Sequence, residues 1–450
     1  MDLGLILKVI LLRRQLRKRE SWHADEVKDF QAKRLGQLRE FAYAHSPFYK
    51  VFHKNLMSAP LEDLPILTKK ILMENFDVLT TDRMMSLQEV RSHIETMTLK
   101  SLLHNEYRVT TTAGTTGARG VFVHNKEEWE NIIASYSRAN EWAGLKVDLL
   151  HRMKMAVVSS TVPWHQSARV GASVSSPWVN TLRLDAADPL DSLVTKLNQF
   201  QPENLVGYAN MGKTLAVEQI KGSLKISPRA VMCASEVLTT ETRNLIKRAW
   251  NCDPFNVYGA TETAGIAAEC SEHRGLHIFE DLVITEVVDD QNKPVPAGTP
   301  GEKILVTVLW SRTLPLIRYE MTDSCSRSLA QCRCGRPFRM LSQVEGRQED
   351  SLHFQSKDRN MVTIHPNVFH EVLEPISAAA WQVVQTTPMG LEIKLAGSNL
   401  NRSQQEEVLR ALTVRLTEKG AVGIAVKIVE VREIPKTAIG KTKLILKAPV

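Results

Sequence analysis

The run Thr110-Thr111-Thr112-Ala113-Gly114-Thr115-Thr116-Gly117-Ala118-Arg119-Gly120 sets the tightest limit on what this chain can do locally. Three glycines stand three residues apart among β-branched threonines, and both residue types disfavour a helix interior. The segment reads as a loop with open backbone N–H groups and a row of hydroxyls. Such a loop suits a polyphosphate, because donors approach closely where no Cβ intervenes. No Gly-Lys-Ser/Thr follows at the P-loop spacing, and the Rossmann Gly-x-Gly is missing. A surface turn is the competing reading.

Around this loop the apolar pattern alternates between strands and helices. Met155–Ser160, Asn204–Tyr208 and Ala230–Ser235 are apolar runs ending in small or polar residues, and Pro189–Gln201 and Thr239–Trp250 have helical spacing. Lys28–Tyr49 is likewise predicted as one helix, from Phe30, Leu35, Leu38, Phe41 and Ala42. The alternation predicts an α/β fold with parallel sheets covered by helices. Between Leu282 and Leu309 the strands come closer together, with turns at Asp289–Asn292 and Pro296–Gly298, which predicts an antiparallel β subdomain. After Glu345-Gly346-Arg347 the pattern restarts, with strands at Trp381–Gln385, Leu391–Leu395 and Ile424–Val431 and an amphipathic helix at Ser403–Lys419. Residues 1–346 are therefore expected to form a large domain and residues 347–450 a small α+β domain.

Composition excludes little: 43% hydrophobic and 24% charged residues are ordinary for a globular chain, and a net charge of +7 suits an anionic small molecule. The basic residues are scattered rather than striped with aromatics, which argues against nucleic acid. Leu3–Leu12 is mostly apolar and is followed by Arg13, Arg14, Arg17, Lys18 and Arg19. It is too short to span a bilayer and has the reverse charge order of a secretory signal. A short amphipathic helix packed on the large domain is expected, with membrane contact the weaker alternative. The expected location is the reducing cytoplasm, where the six cysteines would not form disulfides.

Three further segments complete an ordered set: Asn256-Val257-Tyr258-Gly259-Ala260-Thr261-Glu262, Leu316-Ile317-Arg318-Tyr319-Glu320-Met321-Thr322-Asp323, and Ile434-Pro435-Lys436-Thr437-Ala438-Ile439-Gly440-Lys441. With the threonine-glycine loop they resemble the adenylate-forming superfamily of acyl-CoA synthetases, adenylation domains and luciferases. Phe41-Ala42-Tyr43-Ala44-His45-Ser46-Pro47-Phe48-Tyr49 and Leu64-Pro65-Ile66-Leu67-Thr68-Lys69 are similar to the N-terminal signature of the phenylacetate-CoA ligase branch and its capsule-biosynthesis relatives. The resemblance covers nearly the whole chain. It implies a ligase that makes an acyl-adenylate from ATP, Mg²⁺ and an aryl or acyl carboxylate, then passes the acyl group to an acceptor nucleophile. A nucleotide-binding protein that has lost catalysis, acting in a biosynthetic assembly, is the alternative. A homodimer is left open.

The resemblance also implies roles for residues. Thr112, Gly114, Thr115, Thr116 and Gly117 would hold the β- and γ-phosphates, with Arg119 keeping the positive charge that relatives place on a lysine. Glu262 would ligate Mg²⁺, which prefers one or two carboxylates plus phosphate oxygens. Thr261 would contact the α-phosphate. Tyr258, beside Gly259, would stack on the adenine, and Ser235-Glu236 matches another adenine contact, although Ser-Glu after a strand also suits a helix cap. Asp323 would accept from both ribose hydroxyls, and Arg347 would be a second ribose or phosphate contact. Lys441 is the implied catalytic lysine of a mobile C-terminal domain, with Lys436 as its backup. Trp164-His165 and Tyr208-Ala209 match regions that line the acyl pocket.

Cys332-Arg333-Cys334-Gly335, with Cys270 and either His273 or His277 upstream, can supply four tetrahedral ligands to zinc. Some phenylacetate-CoA ligase relatives carry such a structural zinc. The assignment is Cys270, His277, Cys332 and Cys334, with His273 competing and Cys325 a spare. One stretch departs from the family pattern: Gln348-Glu349-Asp350 follows Gly346-Arg347, and the usual glycine turn is missing. That puts CoA in doubt as the acceptor and leaves an amine or a carrier thiol open.

Overall fold

The computed structural model describes residues 3–112, 119–145, 152–173, 178–347, 351–355, 361–364, 366–373, 375, 376, 378, 380–435 and 442–447. Its centre is a mixed sheet of ten strands. Five run parallel, in the order Val179–Asp185, Met153–Ser159, Asn204–Tyr208, Ala230–Ala234, Phe255–Ala260. Ala264–Glu269, Leu276–Ile278, Met340–Arg347, Asp323–Arg327 and Pro300–Gly301 continue it with antiparallel pairings. The helices Gln166–Ser173, Leu190–Phe200, Ala209–Lys221 and Thr240–Trp250 connect the parallel strands in turn. Crossovers of this kind are what parallel pairing requires.

The predicted strands and connecting helices are present, with caps that explain where helices begin. Thr239 accepts from the N–H of Thr242 at the start of Thr240–Trp250, and Gln201 ends Leu190–Phe200 in a left-handed conformation. The predicted antiparallel region is there too: Val283–Val288, Lys303–Val308 and Tyr319–Met321 form a three-stranded sheet. One prediction needs correcting. Lys28–Tyr49 is not one helix but two, Ala24–His45 and Pro47–Phe52. Pro47 disfavours helical geometry at Ser46, which turns extended and caps the second helix by accepting from Tyr49 N–H.

The N-terminal signature segments hold the large body together. The buried Tyr49 hydroxyl donates to the carbonyl of Pro315 at 2.8 Å. Leu67 N–H donates to Arg318 O, and Glu320 N–H to Leu67 O. The Arg318 guanidinium is buried, pairs with Glu286 and donates to the carbonyls of Glu62 and Leu64 at 2.6 Å. The arginine of the Leu316–Asp323 motif is therefore an architectural tie that fixes the strand leading to Asp323.

The expected N-terminal helix spans Leu3–Arg19 and lies along Lys126–Trp142. No helix among the described residues is long and apolar enough to cross a membrane. Beyond Arg347 a separate core gathers around Phe354, Phe369, Trp381, Ile393, Leu412 and Ile445. It is built on the sheet Ala425–Val431, Gly390–Ala396, Ala380–Thr387, Ile445–Leu446 and the helix Arg402–Glu418. The hairpin Leu352–Gln355/Met361–Ile364 and the helix Pro366–Leu373 add to what the sequence pattern predicts.

Candidate active site and metal centre

Because the central strands are parallel, their carboxyl ends line one edge of the sheet, the usual place for ligands in such folds. Trp164-His165, Tyr208-Ala209, Ser235-Glu236 and Tyr258–Glu262 all follow or occupy those ends. Thr261 and Glu262 sit at the tip of the turn joining Phe255–Ala260 to Ala264–Glu269. Gly259 is required there, since a Cβ would lie 2.7 Å from the carbonyl oxygen of Ala264.

The tip is held from behind by two residues that the sequence pattern does not reveal. Tyr136 OH donates to Gln166 Oε1 at 2.8 Å, and Gln166 Nε2 donates to Thr261 O at 3.1 Å. Burial raises the Tyr136 pKa, and the nearby Glu262 carboxylate raises it further, so the hydroxyl stays protonated as a donor. Glu262 also lines a small cavity with His124, Glu128, Trp310, Ser311 and Leu314. Burial, with the charges of Arg169 and Arg108, drives the His124 pKa down to about 3, which leaves that ring neutral.

Tyr258 and Asp323 meet directly: the hydroxyl donates to Oδ2 at 2.9 Å. Asp323 is in turn the register partner of Arg347 across two antiparallel strands. Ser235 is exposed and adopts a left-handed φ of 65°. Glu236 accepts from Asn210 N–H at 2.9 Å, so its carboxylate meets the first turn of the preceding helix Ala209–Lys221, while Thr239 and not Ser235-Glu236 caps the helix that follows. Tyr208 and Ala209, at the start of Ala209–Lys221, are both buried in the core. Burial raises the Tyr208 pKa to about 12, and its hydroxyl accepts from Ser160 N–H.

The threonine-glycine segment joins the strands Arg108–Thr111 and Val121–His124, which pair antiparallel. Thr112 N–H donates to Gly120 O, and Gly120 N–H to Thr112 Oγ1, both at 2.9 Å, closing the base of the loop. Thr111 N–H donates to Trp164 O, and the exposed Arg119 guanidinium lies 5.3 Å from the Trp164 ring. His165 is buried against Ser167. Lys69, from the N-terminal signature, places its side chain 3.3 Å from where a Cβ on Gly120 would be, so it too borders this loop. Gly114, Thr115, Thr116, Gly117, Gln348, Glu349, Asp350, Lys436 and Lys441 lie outside the described residues, as does the side chain of Arg347.

The cysteine assignment gathers in one place. Cys270 follows Ala264–Glu269, His277 is in Leu276–Ile278, and Cys332 and Cys334 come from the turn before Met340–Arg347. Their four ligand atoms lie within 4.8 Å of one another. Cys270 Sγ is 3.6 Å from Cys332 Sγ, and Cys334 Sγ is 3.3 Å from His277 Nε2. Tetrahedral zinc with Zn–S of about 2.3 Å would hold two sulfurs about 3.8 Å apart, so the donor set fits. His277 Nδ1 donates to the carbonyl of Phe338 at 3.2 Å, which aims Nε2 at the cysteines. Burial lowers the His277 pKa and favours the neutral ring a metal needs. Burial also opposes ionisation of Cys334, but hydrogen bonds from Arg336 bring its thiol below the usual value. His273, the competing ligand, turns instead to Glu269 and packs tilted at 47° against Phe255. Cys325 is buried in the sheet.

No family model matches the chain. A phenylacetate-coenzyme A ligase of Thermus thermophilus is 24% identical over 370 residues, covering 79% of this chain and 76% of that protein. The protein CapK of Staphylococcus aureus is 25% identical over 355 residues, covering 75% of this chain and 71% of that protein. A solved structure of 2-hydroxyisobutyryl-CoA ligase in its postadenylation state, with 2-HIB-AMP, superposes with a TM-score of 0.74 at 19% identity, covering 96% of this chain and 91% of the other.

Proposed function

We propose that this chain, a member of the adenylate-forming superfamily by sequence and fold, is an AMP-forming ligase that activates a carboxylate with ATP and transfers the acyl group to an acceptor. One observation carries most weight: Tyr258 and Asp323, from motifs 65 residues apart, hydrogen-bond at the carboxyl edge of the parallel strands, next to the tip bearing Thr261 and Glu262. That meeting supports reading Tyr258 as the aromatic face for adenine and Asp323 as the ribose-binding carboxylate.

In the first half-reaction a carboxylate oxygen attacks the α-phosphorus of ATP and pyrophosphate leaves. In the second, the acceptor attacks the acyl carbonyl, AMP leaves with the bonding electrons, and the acceptor gives up its proton. Tyr258 offers a face to the adenine, and Asp323 accepts from the ribose hydroxyls. Thr261 contacts the α-phosphate, held in place by Gln166. Thr112 and the loop after it hold the outer phosphates, with Arg119 at its far end. Glu262 is the Mg²⁺ ligand; Mg²⁺ neutralises phosphate charge in this chemistry. Lys441 bridges the attacking carboxylate and the α-phosphate. Cys270, His277, Cys332 and Cys334 hold a zinc with a structural role, since protein fills all four positions.

We place the domain division at 346/347. Gly346 has a φ of 108°, and a Cβ on it would lie 3.6 Å from Pro366 and 3.7 Å from Val237. A glycine there lets the chain turn where the two cores meet. The names of the relatives support a CoA thiol as acceptor, while Gln348-Glu349-Asp350 leaves an amine or a carrier thiol open. A panel of aryl and aliphatic acids, assayed with and without CoA, tests the whole proposal. At least one acid should release AMP and pyrophosphate; release of ADP and phosphate instead overturns it.

A further inference from the structure

The helix Leu3–Arg19 has two faces with different fates. Its inner face is fixed. Leu5 and Leu16 are buried, and the buried Arg13 pairs with Glu141. Arg17 donates twice to the same carboxylate, at 2.8 and 2.9 Å. The helix is thereby bound along Lys126–Trp142 and cannot turn its other side inward.

Among the described residues the outer face is unpartnered. Leu7, Ile10 and Leu11 are 59%, 52% and 48% exposed. At about 100° per residue, these three share an arc of about 100° with Arg14 and Lys18. Single exposed aliphatics are ordinary, but three on adjacent turns of one held helix form a patch. Along the axis the arc is apolar first and basic second. The helix contains no acidic residue, and among the described residues neither Arg14 nor Lys18 makes an ion pair. The carboxylates that pair with this helix, Glu141, Glu20 and Asp281, are turned to Arg13, Arg17, Arg19 and Arg138.

We infer that this face docks on the surface of an anionic lipid bilayer, the helix lying in the plane of the interface. Leu7, Ile10 and Leu11 enter the boundary between headgroups and acyl chains, and Arg14 and Lys18 meet lipid phosphates. Charge decides among the occupants. A second copy would set Arg14 and Lys18 against basic or apolar residues of an identical helix that has no acidic residue to pair them, whereas anionic headgroups complement them. The helix, 17 residues long with a basic second half, lies on the bilayer and does not cross it.

The test is sedimentation of the full chain with vesicles of phosphatidylcholine alone, or with about a third phosphatidylglycerol. Partitioning should be at least tenfold stronger on the anionic vesicles. Arg14→Gln with Lys18→Gln should weaken it roughly 25-fold, at about fivefold per charge. The triple variant Leu7→Gln/Ile10→Gln/Leu11→Gln should weaken it at least tenfold. Both variants alter exposed positions remote from the ligase residues, so thermal midpoint and pyrophosphate release should match the parent and report intact folding. Equal partitioning on the two vesicle types, or a triple variant that binds as the parent does, overturns the inference. So does a triple variant whose only change is loss of a dimer in sedimentation equilibrium, which would assign the face to a second copy. Pyrophosphate release reads the ligase proposal separately, so either can fail alone.

Discussion

The cysteine-histidine cluster and the candidate nucleotide edge are both built on the ten-stranded sheet, yet folding completes only one of them. Cys270, His277, Cys332 and Cys334 come from the antiparallel half, from neighbouring strands and the turn between them, and their ligand atoms already lie within 4.8 Å. The nucleotide edge gathers ends of separate parallel strands, a hairpin loop and a later strand. Several of its groups are engaged with protein: Tyr258 with Asp323, Glu236 with Asn210, Thr112 with Gly120. A site closed by adjacent strands is fixed when they pair. A site spread over separate ends is finished only when a ligand bridges them. Damage to the first should therefore appear as lost stability, and damage to the second as lost rate or affinity.

The largest effect is expected at the cluster. Protein purified without a metal-binding tag should contain about one zinc per chain, and less than about a tenth would end that assignment. Cys332→Ser with Cys334→Ser should abolish metal binding and lower unfolding stability by more than about 4 kcal/mol, read by denaturant titration. Below its lowered midpoint the variant should still release pyrophosphate. If stability held while the rate collapsed, the cluster would belong to the chemistry and the contrast would be wrong.

At the edge the expected signature is reversed. Lys441→Ala should slow adenylate formation by two to three orders of magnitude, about 3 to 4 kcal/mol, because a cation is lost where negative charge develops. Ready-made adenylate should still react with the acceptor, and unfolding stability should stay within about 0.5 kcal/mol of the parent. Lys436→Ala is the control, with a much smaller effect. Glu262→Gln should disable the same half-reaction by weakening Mg²⁺. Near-parent turnover of that variant at low Mg²⁺ would remove Glu262 from the metal site.

Patterns that are local in sequence were legible. The alternation of apolar runs gives the parallel strands and their helices, so the candidates at strand ends fall on one edge. Cys332-x-Cys334 next to Gly335 marks the turn that brings two thiols to Cys270. Roles that depend on distant partners were not legible. Gln166 looks like any helix-start residue until Tyr136 and the Thr261 carbonyl are seen on its two ends. Arg318 belongs to a nucleotide-site motif, but its guanidinium serves Glu286, Glu62 and Leu64. Ser46-Pro47 did carry a local signal, a cap followed by proline at the first helical position, which the apolar spacing across it obscured.

The smallest effect should fall on the bond that joins the two nucleotide motifs. Tyr258→Phe keeps the aromatic face and removes only the hydroxyl that donates to Asp323 Oδ2. Asp323 is half-buried, so losing this donor leaves water to take its place, and folding stability should fall by about 1 kcal/mol or less. A hydroxyl that serves to aim the carboxylate at the ribose should, when removed, raise the KM for ATP by about three- to tenfold. The kcat should be unchanged, because adenine and ribose are bound alike in the ground state and the transition state. Asp323→Ala should have the same signature with a larger rise, since both ribose hydroxyls lose their acceptor. If Tyr258→Phe instead lowered the KM, the hydroxyl would compete with the ribose for Asp323, and the bond would be a latch that ATP must open. A hundredfold fall in kcat at unchanged KM would place Tyr258 in the chemistry and separate it from Asp323 altogether.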